Sequence, residues 1–215
     1  GETRRLLRAR RREIVATRDL VADGAAIAAQ LEASPPAGWS ATTPGMVLSY
    51  ESLPHEPSTV AVNDALRARG HRVLVPITLA DMQLDWCDLD DPGRTPFGID
   101  APTGADLVLA PGLAVDRDGT RLGQGGGCYD RVLPMLAEGT PFVVLLHPGE
   151  VTDEPLPADP HDVPVALGSP RAEHRLLRTR RRAPVDRAHV IASHVFAERI
   201  ELGALPAHHD RCRAV

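Results

Sequence analysis

Four short apolar runs, separated by stretches of helical pattern, constrain this chain more than any other feature. MVLSY (46–50), HRVLVPI (71–77), ADLVLAPGLAV (105–115) and PFVVLLH (141–147) each read as a strand, the third most strongly. TVAVNDALRARG (59–70) reads as a helix closing on Gly70, and YDRVLPMLAEG (129–139) as another, with Pro134 in or near its first turn. A further strand is possible around Leu84–Trp86. Residues 2–33 read as one or two helices, with Asp23-Gly24 as the candidate break and Leu7, Ile14, Val21 and Leu31 able to share an apolar side. Strand and helix alternate at the spacing of βαβ units. The expected fold class is therefore α/β: a single domain with a mainly parallel sheet flanked by helices, in an open three-layer α/β/α arrangement. Such sheets bind ligands at the carboxyl ends of their strands.

From about residue 167 the pattern fades. SPRAEHRLLRTRRRAPVDRAHV is basic and punctuated by proline, so the expected division is a domain over 1–166 and a basic C-terminal extension over 167–215. That extension is expected to be partly helical, around Val185–Ile200, or disordered. Arg180–Arg182 could meet RNA or an acidic partner, but a solvated tail is the better reading of a charge run. At 215 residues the chain can bury a core without disulfides or metals. A net charge of −5 argues against wholesale nucleic-acid binding, and no apolar run is long enough to span a bilayer. Cys87, Cys128 and Cys212 are odd in number and widely spaced, which suits a reducing, cytoplasmic setting better than a disulfide framework or a zinc site. Every basic side chain apart from histidine is an arginine, consistent with a compositional bias.

RLGQGGGCYDR (121–131) is the candidate functional segment. Four glycines fall within five positions, between the strongest strand and a helix start. Backbone N–H groups can converge there on an anion, with the helix dipole adding to the attraction, and glycine lets the backbone come close. A mobile surface loop is the bland alternative. The segment is not a P-loop, because the chain has no lysine. Nor is it the dinucleotide pattern GxGxxG, since Cys128 stands where the last glycine would be.

LVLAPGLAVDRDGTRLGQGGGCYDRVL (107–133) resembles the signature of the 5-formyltetrahydrofolate cyclo-ligase family, roughly P-x-L-A-F-D-x-x-G-x-R-L-G-x-G-x-G-Y-Y-D-R. Pro111, Asp116, Gly119, Arg121, Leu122, Gly123, Gly125, Gly127, Tyr129 and Asp130 stand in register. Other segments follow in order: Arg4 and Arg8 on an N-terminal helix, YESLPHEPST with Glu56 and Thr59, LRARGHRVLVPITLADMQLDW, and EVTDEPLPADPHDVPV with His161-Asp162. The resemblance covers about residues 4–166.

It implies an enzyme that uses ATP and Mg²⁺ to convert 5-formyltetrahydrofolate into 5,10-methenyltetrahydrofolate, working as a monomer with 5-formyltetrahydrofolate and ATP as its partners. Arg121 and Tyr129 would be catalytic. Arg4, Arg8, Arg121, Leu122, Gly123, Gln124, Gly125, Gly126, Gly127, Cys128 and Tyr129 would hold ATP. Tyr50, Glu51 and Glu56, with Gln124 through Cys128, would hold the folate. Asp130 and Asp162 would ligate Mg²⁺ as hard oxygen donors. Read without the resemblance, Asp130 serves equally well as a helix N-cap, Asp162 as a turn residue, and Glu56 as an exposed loop glutamate; Arg10–Arg12 suit a solvated face. Some residues depart from the family pattern: Cys128 replaces an aromatic, Arg4 a lysine, Glu51 a smaller residue, and Ala101 a glutamate in a shortened 98–106 loop. A non-catalytic folate- or nucleotide-binding relative is the alternative function, and an RNA-associated protein is the third.

Overall fold

The computed structural model describes residues 1–157 and one further strand, Ala188–Ala192. Two helices open the chain, α1 (Glu2–Val15) and α2 (Leu20–Ala33). The break falls at 16–19, not at Asp23-Gly24. Asp19 caps α2 by accepting from the Val21 and Ala22 main-chain N–H groups, so the helix runs through Gly24 without interruption. This orientation leaves Val21 exposed while Leu31 is buried, so the two do not share an apolar side.

Then follow β1 (Met46–Leu48), α3 (Val60–Ala68), β2 (Arg72–Thr78), β3 (Leu84–Asp88), β4 (Leu107–Pro111), β5 (Ala114–Asp116), β6 (Arg121–Leu122), α4 (Cys128–Val132), β7 (Phe142–Leu146), β8 (Val151–Thr152) and β9 (Ala188–Ala192). The main sheet has the order β3-β2-β1-β4-β7-β9. It is parallel except for β3, which folds back antiparallel on β2. A smaller sheet, β6-β5-β8, stands beside it.

The central strands β1, β4 and β7 are apolar along their whole length because both faces of the sheet are covered there. Alternate residues supply two cores. Val47, Val73, Leu107, Leu109, Val143 and Leu145 pack with Ile27, Leu31, Val62 and Leu66 from α2 and α3. Leu48, Leu74, Val108, Ala110, Phe142 and Val144 pack on the other side with Tyr129, Val132 and Leu133. This is the expected α/β class with a mainly parallel sheet between layers.

Two further expectations change. ADLVLAPGLAV is not one strand: it bends at Gly112 and passes from the main sheet into the small one. A Cβ at Gly112 would lie 2.8 Å from Val144 Cγ1, so only glycine lets the chain turn there against β7. Within the extension, Ala188–Ala192 is a strand and not part of a helix over 185–200. It runs parallel to β7, with Val190 opposite Val144. The remainder of that expected helix lies outside the described residues. Among the described residues no helix is long and apolar enough to cross a membrane.

Chain order along the sheet reverses between β1 and β4. From β1 the chain moves outward to β2 and β3, then returns to the other side of β1. At such a switch point the loops leaving the two central strands diverge and open a crevice. Residues 49–59 leave β1 there, Gly112 and Leu113 leave β4, and His147–Glu150 leave β7. Gly112→Ala should lower stability by about 1–3 kcal/mol, because Val144 is fixed in a buried strand. Chemical denaturation of the two proteins measures it, and equal midpoints would mean that β7 yields to the added methyl.

Candidate functional site

Helix α1 lies across these carboxyl ends and presents Arg4, Arg8 and Arg11, spaced four and three apart, on one face. Arg4 Nε donates to the Gly123 carbonyl at 3.1 Å. Arg8 donates through Nε to the Gln124 side-chain oxygen at 3.0 Å and through Nη2 to the Gln124 carbonyl at 2.7 Å. The glycine segment is therefore not a free loop: two arginines from the start of the chain hold its first half. Gly125 and Gly127 adopt φ of +116° and +63°, a region that side chains with a Cβ avoid.

Helix α4 follows with only five residues, and its N-cap is Gly127. Asp130 is thus not the cap, which removes one of its two sequence readings. A dipole summed over so short a helix adds little, so the attraction for anions must come from arginines and loop N–H groups rather than from the helix. Asp130 Oδ1 instead pairs with Arg121 Nη2, the arginine being 5% exposed and the aspartate 33%. The Arg121 guanidinium lies 5.9 Å from the centre of the Tyr129 ring, which meets Phe142 edge-on. Burial raises the Tyr129 phenol above its ordinary pKa, with Arg121 opposing the shift.

On the other side of the crevice the 49–59 loop is pinned by its own polar groups. Thr59 Oγ1 donates to the Tyr50 carbonyl at 2.7 Å, and Asn63 Nδ2 donates to the same carbonyl at 3.1 Å. Glu56 folds inward and is 6% exposed, accepting from the Leu53 main-chain N–H at 3.0 Å. The reading of Glu56 as an exposed loop glutamate does not hold. Burial raises the Tyr50 phenol well above its usual pKa, and the Glu56 carboxylate nearby raises it further.

Between α1, the glycine segment and this loop lies a cleft of about 240 Å³. Arg8, Arg11 and Arg12 line it with Gln124, Leu113 and the stretch Leu53–Glu56. It combines an apolar lip, one buried carboxylate and three guanidinium groups, a surface suited to a ligand with both a flat polar ring and anionic groups.

Several expected site residues stand elsewhere. Glu51 pairs with Arg94 Nη2 at 2.7 Å at the surface, where the two charges satisfy each other. Leu122 sends its side chain into the interior, and its carbonyl accepts from Leu113 N–H at 2.7 Å. Cys128 packs against the core beneath α4. Asp162 lies outside the described residues, as does most of the 167–215 extension.

Sequence reading missed Arg11 and Glu150. Arg11 was grouped with a solvated face, yet both side chains are 3% exposed and form a two-point ion pair, Nε to Oε1 at 2.6 Å and Nη2 to Oε2 at 2.8 Å. Arg11 Nη2 also donates to the Gly112 carbonyl, and Glu150 Oε2 accepts from His147 N–H at 2.8 Å. The three-residue step from Arg8 to Arg11 was the available signal. His147 is buried beside this pair, and desolvation holds its pKa below the ordinary value.

Fold and site together describe an α/β protein with an anion-seeking cleft at the switch point of its sheet. The family model for 5-formyltetrahydrofolate cyclo-ligases matches residues 1–167, and the chain belongs to that enzyme family. The 5-formyltetrahydrofolate cyclo-ligase of Mycolicibacterium smegmatis is 36% identical over 135 residues, covering 54% of this chain and 69% of the relative. The mouse 5-formyltetrahydrofolate cyclo-ligase is 40% identical over 65 residues, 29% of this chain and 32% of its own. A 5,10-methenyltetrahydrofolate synthetase structure from Mycoplasma pneumoniae superposes with a TM-score of 0.57 at 23% identity, over 74% of this chain and 94% of that one, a likeness of fold.

Breaking the buried pair should be costly. Arg11→Met leaves Glu150 charged and unpaired and should lose about 3–5 kcal/mol in denaturant titrations. Adding Glu150→Gln should recover much of that loss. A single variant as stable as the parent would show that water reaches Glu150.

Proposed function

We propose that this protein converts 5-formyltetrahydrofolate into 5,10-methenyltetrahydrofolate, consuming ATP with Mg²⁺ and releasing ADP and phosphate. The observation that carries the reading is the joining of two binding surfaces at one crevice. Arg4 and Arg8 meet the glycine segment on one side, and the buried Glu56 faces the same cleft from the other. A nucleotide phosphate suits the first and a pterin edge the second, since a carboxylate accepts from adjacent ring N–H groups.

The chemistry follows from what leaves. Oxygen must depart from the formyl carbon, and as hydroxide it leaves poorly. In the proposed sequence the formyl oxygen attacks the γ-phosphorus and the bond to ADP breaks. N10 then attacks the formyl carbon, and the carbon–oxygen bond breaks to release phosphate, while N10 gives up its proton. No protein nucleophile is needed. The protein aligns two ligands and balances phosphate charge. Arg4 and Arg8 neutralise the outer phosphates and the glycine segment supplies N–H donors. Arg121, backed by the Tyr129 ring, stabilises charge that grows on the transferring group. Glu56 and Tyr50 orient the pterin so that its formyl group faces the nucleotide.

Asp130 suits a magnesium ion: Oδ1 is engaged by Arg121, while Oδ2 accepts no hydrogen bond among the described residues. Among those residues no three metal-binding side chains cluster, which agrees with an ion held by one or two carboxylates and otherwise by phosphate oxygens and water. Asp162 would be the second carboxylate. When bound, the ion would offset phosphate charge and make ADP a better leaving group. Working as a monomer in the cytoplasm completes the proposal.

The test mixes purified protein with 5-formyltetrahydrofolate and MgATP and follows the near-ultraviolet absorbance of methenyltetrahydrofolate. A rise that requires both ATP and Mg²⁺ is expected; a flat trace overturns the reading. Asp130→Asn keeps an acceptor for Arg121 and should melt like the parent, while turnover falls by about a hundredfold or more. Unchanged turnover would remove Asp130 from the metal site.

A further inference from the structure

Arg11 is bound on one edge only. Nε and Nη2 are saturated by Glu150 and the Gly112 carbonyl, but Nη1 has no partner and no contact with solvent. A buried donor on a charged group is rarely left unmade, because its desolvation is uncompensated. Its surroundings share the feature. The Tyr50 and Tyr129 hydroxyls and Arg121 Nε are likewise buried without partners. Geometry links them in part: the Arg121 guanidinium stands over the Tyr129 ring, and Arg11 and Glu56 line the same cleft. Of the buried unpaired side-chain atoms among the described residues, only the Trp39 and Trp86 indole nitrogens lie outside this group.

The unmade bonds are of one kind. Arg11 Nη1 and Arg121 Nε can only donate, and the two hydroxyls can donate as well. Among the described residues the buried carboxylates not claimed by Arg11 are Glu56, at the cleft, and Asp116, which already accepts from the Asp118, Thr120 and Leu156 main-chain N–H groups. What the group lacks is an acceptor oxygen.

We propose that Arg11 contacts ligand directly, its Nη1 donating to an oxygen at the inner end of the cleft. The pair with Glu150 then serves to hold the guanidinium plane so that this third edge faces inward. The inference rests on the function proposed above, which supplies two sources of such an oxygen: a phosphoryl group of the nucleotide and the formyl or ring carbonyl of the folate.

The experiment measures equilibrium affinities, without turnover, for ATP and for 5-formyltetrahydrofolate separately, by calorimetry. The proteins compared are the parent, Glu150→Gln, Arg11→Lys, and the double variant Arg11→Met with Glu150→Gln. The parent should bind both ligands; if it binds neither, the functional reading falls and this inference with it. Glu150→Gln keeps Arg11 Nη1 but loosens its hold, and should lose less affinity than the double variant. The double variant, folded as judged by its melting curve, should lose about tenfold or more in affinity for one ligand, as expected for a hydrogen bond to a charged donor. Arg11→Lys keeps a cation on Glu150, and so the course of α1, while removing the third edge, and should show the same loss; in that variant, loss confined to ATP identifies a phosphoryl oxygen, and loss confined to the folate a formyl or carbonyl oxygen. Affinities that match the parent for both ligands, or an equal loss in Glu150→Gln alone, overturn a direct contact.

Discussion

The ion pair between Arg11 and Glu150 sets the geometry on which the rest of the site depends. One guanidinium joins three parts of the chain that are distant in sequence: helix α1, the Gly112 bend at the end of β4, and the segment after β7. Buried pairs of this kind contribute little net stability compared with apolar packing, and their value lies in fixing one arrangement over others. Here the arrangement is the direction of α1. With Arg11 anchored, Arg8 and Arg4 follow at one-turn intervals along the same face and arrive at Gln124 and Gly123. Both side chains are thereby aimed by a contact one and two turns further along the same helix.

The bonds that Arg4 and Arg8 make to the glycine segment differ from the anchor in strength. Arg8 is exposed and its acceptors are neutral carbonyl and amide oxygens, so each bond competes with water and is worth about 1 kcal/mol or a little more. A phosphate offers charged acceptors and draws arginine more strongly. On the function proposed above, the same side chains would hold the segment in shape before a nucleotide arrives and exchange carbonyl for phosphate when it does. Gly125 and Gly127, already at positive φ, let the backbone change course without a Cβ in the way. A rigid anchor beside exchangeable contacts is a consistent design for a loop that must close on a ligand and release it.

Much of this was legible in the sequence because it rests on local pattern. The apolar runs gave the strands, since a sheet covered on both faces needs no alternation. The spacing of Gly123, Gly125, Gly127 and Asp130 carried the family likeness. What stayed hidden depends on partners remote in sequence. Arg11 looks like its solvated neighbours Arg10 and Arg12 until Glu150, 139 residues away, is placed beside it. The bend within ADLVLAPGLAV is invisible because Gly112 continues an apolar run, and its necessity appears only when Val144 lies against it. Asp19 could not be preferred over Asp23-Gly24 as the helix boundary, because both offer the side chains and turn formers that begin or end a helix. AHVIA within the basic extension carries a strand pattern too short to stand alone. It forms an edge only because β7 provides a parallel partner.

The departures from the family pattern also become intelligible once their neighbours are known. Glu51 does not line the cleft but closes an ion pair with Arg94 at the surface, where its charge is satisfied. Cys128 is half-buried at the start of α4, packed on the core with its Sγ beside Gly126. Specificity in such a cleft rests on hydrogen bonds made in a dry interior, where an unmatched donor is penalised more than a missing apolar contact. On the function proposed above, the buried unpaired donors of Tyr50 and Arg11 would be met by an oxygen-rich ligand.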